Sequence, residues 1–265
     1  MAEQFIEVGD ILRELTRLLG KNLSRDLPDT PIQQSINTIF QLHNAHRYQE
    51  RNYHIAILQF LVRNLLDIEK HDQKLLKKYR RIIRDSLDVN KYYGARFEVA
   101  TASTLIRNKC NFERVIETTT PTPDFVIHEV SDVFLECGST HLSNPRPKDF
   151  EYKIISEAKE KGRKTYCNHK TVLLLDISNI LHHAIRFNMP IHARLEAITE
   201  KAVGSTKFGS LLLFDYIIDS KTHQYSHSYL RKDNSDIDSN LQLLLDRIFP
   251  SGHVRIESFY QPSFG

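Results

Sequence analysis

The sequence predicts an α/β protein with a mixed central sheet and flanking helices, preceded by an N-terminal helical region. Three observations predict it. Up to Asn108, apolar residues recur every three or four positions, the period of a helix with one buried face. After Asn108 they gather into short runs rich in branched and aromatic side chains, as in strands. Between the third and fourth of these runs lies a polar, lysine-rich stretch long enough for the crossover helix that a parallel strand pair requires.

Residues 3 to 108 read as helices. Ile6, Ile11, Leu12, Leu15, Leu18 and Leu19 form one stripe, and Gly20 is a natural stop. Ile32, Ile36, Ile39, Phe40 and Leu42 form a second, opened by Asp29 or Thr30 before Pro31. Ile55, Leu58, Leu61, Val62 and Leu65 form a third, and Leu75, Tyr79, Ile82 and Ile83 a fourth. The strand-like runs are Phe112 to Thr118, Asp124 to Val130, Val133 to Cys137, Thr171 to Ile177, and Gly209 to Ile218. Helices are expected over Lys148 to Lys164, His192 to Val203, and Ile237 to Phe249. The domain boundary is set at 88/89, so that residues 1–88 form the helical region and residues 89–265 the α/β domain. No internal repeat or low-complexity segment appears.

With 265 residues the chain can hold one large domain or two small ones. A net charge of +3 permits nucleic-acid binding but leaves the case to local charge. Cys110, Cys137 and Cys167 form no C-x-x-C pair, which argues against a disulfide framework or a zinc knuckle and for a cytoplasmic location. The N-terminus does not read as a signal peptide. No apolar run approaches the roughly 20 residues that span a bilayer, so no membrane partner is expected.

Three acids are candidates for chemistry. Glu98 lies in Tyr92-Tyr93-Gly94-Ala95-Arg96-Phe97-Glu98-Val99-Ala100, within the last helix before the sheet. Asp124 follows Pro123 at a strand start, and Glu136 lies in Val133-Phe134-Leu135-Glu136-Cys137-Gly138 on the next strand. A turn around Glu129 to Asp132 allows the two strands to form a hairpin, so Asp124 and Glu136 could converge on one ion. Oxygen ligands of this kind suit Mg²⁺ (or Mn²⁺), which takes one or two carboxylates and completes its shell with water and phosphate. Taken singly, Asp124 reads as turn chemistry and Glu98 as a surface glutamate. Glu136, beside Phe134 and Leu135, would be a costly carboxylate to bury without a partner.

A helix bearing a glutamate, Pro-Asp opening a strand, an acid near the end of the next strand and then a crossover helix resembles the PD-(D/E)xK nuclease superfamily. The resemblance covers about residues 90 to 178. It implies a restriction-endonuclease-like core and Mg²⁺-dependent hydrolysis of DNA, of restriction or defence type. Asp124 and Glu136 would then be the metal ligands and Glu98 the helix glutamate. Cutting both strands of a duplex would need two sites, which suggests a homodimer.

The family pattern places a lysine two residues after the second acid, on the same strand face. Here that position is Gly138. One explanation is migration of the lysine to the crossover helix, with Lys153 or Lys159 reaching back as the catalytic cation. Another is a chain that has lost catalysis and serves as a DNA-binding or assembly subunit. A third is an engineered change at position 138.

Lys74, Lys77, Lys78, Arg81 and Arg84 recur at three and four residues and form a candidate nucleic-acid-binding face, against the commoner reading of a solvated helix surface. Lys159, Lys161, Arg163 and Lys164 form a second basic cluster near the acids. Among thirteen histidines, neither His223 with His227, His182 with His183, nor His43 with His46 has the further ligands of a zinc site; His141 stands out only by its nearness to Glu136. Asp176 and Asp215, at strand ends, read best as capping or paired groups. Ser139 and Thr140 lack a nucleophile elbow, and there is no phosphate-binding glycine loop.

Overall fold

Capping chemistry sets the helix ends in the N-terminal half of the computed structural model, which describes residues 8–21, 23, 29–115, 119–142, 146, 149–218 and 225–258. Ile6, the end of the 112–118 run, Lys148 and His223 lie outside the described residues. Helix α1 (Val8–Leu19) stops at Gly20, whose φ of 71° suits a residue without Cβ. Thr30 caps α2 (Pro31–Asn44) by accepting from the Gln33 amide, with Pro31 in the first turn. Asp72 separates α3 (Tyr48–His71) from α4 (Gln73–Asp85), accepting from the amides of Lys74 (2.7 Å) and Leu75 (3.2 Å). Helix α5 (Val89–Arg107) completes the set.

Two compact units are present: Met1–Arg107 with Ile218–Ser226 and Glu257–Gly265, and Asn108–Ile217 with His227–Ile256. In the first, α3 is central and packs on α1, α2, α4 and α5. Its core draws on the four expected stripes, for example Leu15, Ile36, Leu61, Leu65 and Tyr79, all buried. Phe40 departs from its stripe and is 50% exposed. Polar contacts join the helices as well. Arg80 and Arg84 donate to the terminal carbonyls of α1 (Leu18 O at 2.5 Å, Leu19 O at 3.1 Å), meeting acceptors that have no partner within the helix. Asp67 of α3 accepts from Ser103 and Arg107 of α5.

Among the described residues the sheet has seven strands in sequence order: β1 (Phe112–Arg114), β2 (Phe125–His128), β3 (Asp132–Ser139), β4 (Thr171–Asp176), β5 (Ser210–Ile218), β6 (Tyr225–Asp233) and β7 (Gly252–Ser258). β1, β2 and β3 pair antiparallel in turn, then β3, β4 and β5 pair in parallel. The expected class, mixed α/β with flanking helices, is therefore the observed one. α6 (Asp149–Lys161) makes the β3–β4 crossover. α7 (Ser178–Arg186), a 3₁₀ turn (Ile191–Arg194) and α8 (Leu195–Val203) make the next, and α9 (Ser239–Ile248) precedes β7.

Phe150, Ile154 and Ala158 of α6 pack with Leu173, Leu175, Leu211 and Leu213 of the sheet and Ile198 and Ala202 of α8. β4 is buried along its whole length, as expected for a parallel strand covered on both faces. α7, β6 and β7 are additions to the expected elements. Asp176 takes the capping role: its Oδ1 accepts from the amide (3.0 Å) and hydroxyl (2.5 Å) of Ser178 at the start of α7. Arg231 of β6 has no exposed side-chain surface and is held by Asp233, Asp246 and the Phe249 carbonyl. No helix among the described residues is long and apolar enough to cross a membrane.

Candidate active site

The β2–β3 hairpin brings the two strand acids together. Phe125 pairs with Leu135, and the Asp124 amide also donates to the Leu135 carbonyl at 3.0 Å, which holds Asp124 against β3 just before β2 begins. Asp124 turns its Oδ2 onto the Cys137 amide at 2.7 Å. That bond ties the start of β2 to the strand carrying Glu136.

Glu136 is 1% exposed, and its carboxylate is fully engaged. Oε1 accepts from the ammonium groups of Lys161 (2.5 Å) and Lys164 (2.8 Å), and Oε2 from the Tyr166 hydroxyl. All three donors come from one segment, the last residue of α6 and the turn after it. Lys161 also donates to the Cys137 carbonyl at 2.8 Å. Lys164 lies over the Tyr166 ring, 5.7 Å from its centroid. A buried carboxylate is tolerable because charged donors replace its lost hydration.

Gly138 itself has a local explanation. A Cβ at Gly138 would lie 2.9 Å from Cδ1 of Leu175 and 3.0 Å from Cε of Lys161. The aliphatic stem of Lys161 thus fills the space where a side chain at 138 would begin, and its ammonium reaches Glu136 from α6. The signal for this residue was present in the sequence. Phe150, Ile154 and Ala158 are the buried stripe of α6, and Lys161 comes next in that three-to-four spacing. No local pattern marked Tyr166.

Electrostatics keep the groups in complementary states. Burial alone would lower the Lys161 pKa, but the charge and hydrogen bond of Glu136, with help from Asp124, carry it above the ordinary lysine value. Burial, then the Glu136 charge, pushes the Tyr166 phenol far up, so it remains a neutral donor. Burial lowers the pKa of His141, favouring the neutral imidazole. The Cys167 thiol is pushed up to about 11, by burial first and then by Glu136. All three cysteines are buried. Near pH 8 only about one Cys167 in a thousand is thiolate, so iodoacetamide should label the folded chain far more slowly than the urea-unfolded chain. Equal rates would contradict this environment.

The other sequence candidates lie elsewhere. Lys153 pairs with Glu157 at 3.1 Å, and Lys159 is exposed beside Tyr152, Arg163 and Lys201 in a groove of ≈ 800 Å³. The cations on Glu136 are instead Lys161 and Lys164. Glu98 belongs to the first compact unit, where its carboxylate accepts from Tyr79 at 3.3 Å, whereas Asp124 and Glu136 belong to the second. On α4, Lys74, Lys77 and Arg81 are exposed and Lys78 is half-buried. Arg84 is committed to Asp85 and the Leu19 carbonyl.

Asp124 and Glu136 offer the hard oxygen donors that Mg²⁺ or Mn²⁺ takes, and in that respect they fit such an ion; both Glu136 oxygens are held here by Lys161, Lys164 and Tyr166, and Asp124 Oδ2 by the Cys137 amide. Searches of protein-family models, curated proteins and solved structures find no significant match to the chain.

Proposed function

We propose that the protein is a metal-dependent endonuclease of the PD-(D/E)xK type that hydrolyses DNA phosphodiester bonds, with its lysine supplied by α6 as Lys161. The observation that carries this reading is the Lys161 stem lying over Gly138 with its ammonium on Glu136. The charge that the family pattern attaches at position 138 is present, on a different attachment point. The order of parts supports it too: a helix with Glu98, Asp124 at the start of β2, Glu136 in β3, and a crossover helix to a parallel strand.

In this reading Asp124 and Glu136 hold Mg²⁺ or Mn²⁺. Such an ion polarises the scissile phosphate and lowers the pKa of a bound water. Lys161, kept charged by its neighbours, faces the negative charge that develops on the phosphate. Tyr166 orients Glu136 through its hydroxyl. Lys74, Lys77 and Arg81 track the DNA backbone, and a homodimer presents two sites to the two strands.

Cleavage of supercoiled plasmid with Mg²⁺ or Mn²⁺ tests the reading. Cutting should disappear in EDTA and in Asp124→Asn and Glu136→Gln, with folding followed by circular dichroism. Cutting that persists in both folded variants would remove these residues from the site. The triple change Lys74→Gln, Lys77→Gln, Arg81→Gln should flatten the log–log salt dependence of DNA binding by about 3. An unchanged slope would place the DNA elsewhere.

A second reading, a nuclease-like scaffold that binds DNA or assembles with a partner without cutting it, is favoured by the near-complete burial of Glu136 beneath three donors. Salt-sensitive DNA binding with no cleavage in either metal would select it.

A further inference from the structure

The two lysines on Glu136 are not equivalent. Lys161 is 17% exposed and anchored twice, to Glu136 and to the Cys137 carbonyl, with its stem packed over Gly138. Lys164 is 32% exposed, sits in the turn after the helix, and among the described residues donates only to Glu136. An ammonium has three N–H donors, so Lys164 keeps capacity toward solvent.

Both ammonium groups share one oxygen of Glu136 and repel each other at short range. Lys164 is the less firmly held of the two, and it lies at the solvent side.

We propose that Lys164 is a placeholder cation. It occupies the Oε1 position on Glu136 that a divalent ion needs, yields it when the ion arrives, and then turns its ammonium to a phosphate oxygen of the nucleic-acid backbone. This rests on the metal-nuclease reading. It makes Lys164 a determinant of metal affinity and of substrate binding with opposite signs, which a purely structural lysine would not be. Arg163, exposed close by in the chain, lines a groove that holds Lys159 and Lys201 together with Glu151 and Glu160.

The test uses the full chain, with Mn²⁺ as the probe, titrated without DNA by calorimetry or electron paramagnetic resonance. Lys164→Met should bind Mn²⁺ about tenfold more tightly than the wild type, since a cation within contact distance of the ligand oxygen is gone. Lys164→Arg should behave like the wild type. With a phosphorothioate duplex in Mn²⁺, Lys164→Met should bind about fivefold more weakly and with a salt slope smaller by about one. Unchanged Mn²⁺ affinity in Lys164→Met, with wild-type binding that is lost in Asp124→Asn, would overturn the placeholder role while leaving the metal site standing. Wild-type protein that binds no Mn²⁺ in an Asp124-dependent way would sink the metal-nuclease reading and this role together.

Discussion

Glu136→Gln is expected to destabilise the protein by about 3–5 kcal/mol, because breaking a buried ion pair leaves its partner charge uncompensated. The geometry says which charge is trapped. Lys164, a third exposed, can swing into water, whereas Lys161 is held by both Glu136 and the Cys137 carbonyl with its stem against Gly138. The cost should therefore come mainly from Lys161. Lys161→Met in the Glu136→Gln background should recover much of the loss, giving a coupling energy of about 2–3 kcal/mol in a double-mutant cycle. Urea midpoints of the four proteins measure it. Additive effects would mean that the two side chains do not meet in solution. In the same series, the proposed plasmid cleavage should be lost in each variant that lacks Glu136.

The second large effect concerns where the lysine is attached. On the proposed nuclease function, Lys161→Ala should reduce cleavage by about 10²–10³-fold, the scale seen when one preorganised charge-stabilising group is removed. Gly138→Lys alone should not increase activity. Its Cβ would press on Leu175 Cδ1 and Lys161 Cε, and overpacking of this kind costs about 1–3 kcal/mol. The double variant Gly138→Lys, Lys161→Ala removes the obstructing stem and supplies an ammonium from β3. It should be more stable than the sum of the single changes predicts and should regain part of the lost cleavage. If the double variant is no more active than Lys161→Ala, the lysine does more at 161 than deliver a charge to Glu136.

Much of the α/β architecture could be read in the sequence because its signals are local. The stripes of α1 to α4 show as three-to-four spacings, Thr30 and Pro31 mark a helix start, and the β2 and β3 runs are joined by a turn too short for anything but a hairpin. The meeting of Asp124 and Glu136 follows from that hairpin. β6 was hidden because its sequence, Tyr-Ser-His-Ser-Tyr-Leu-Arg-Lys-Asp, is largely polar, and Arg231 is buried there through Asp233, Asp246 and the Phe249 carbonyl. α7 was hidden because its cap, Asp176, stands at the end of an apolar strand. The choice of Lys161 over Lys153 or Lys159 needed the orientation of α6, which the Phe150, Ile154 and Ala158 stripe defines once those residues are known to face the sheet. Tyr166 meets Glu136 across 30 residues, and no sequence spacing encodes such a contact.

The arrangement around Glu136 also bears on how the chain folds. Its three donors lie 25, 28 and 30 residues further along the chain. The hairpin that carries Glu136 is local and can form early, but its counter-charges arrive only when the crossover helix docks and β4 pairs in parallel with β3. Contacts of such separation require loop closure first and form slowly. Until then the carboxylate favours solvent and resists premature collapse of this sheet face. Burial of the Glu136 carboxylate thus requires the end of α6 and its following turn to be in place, because that segment brings the donors that replace its hydration.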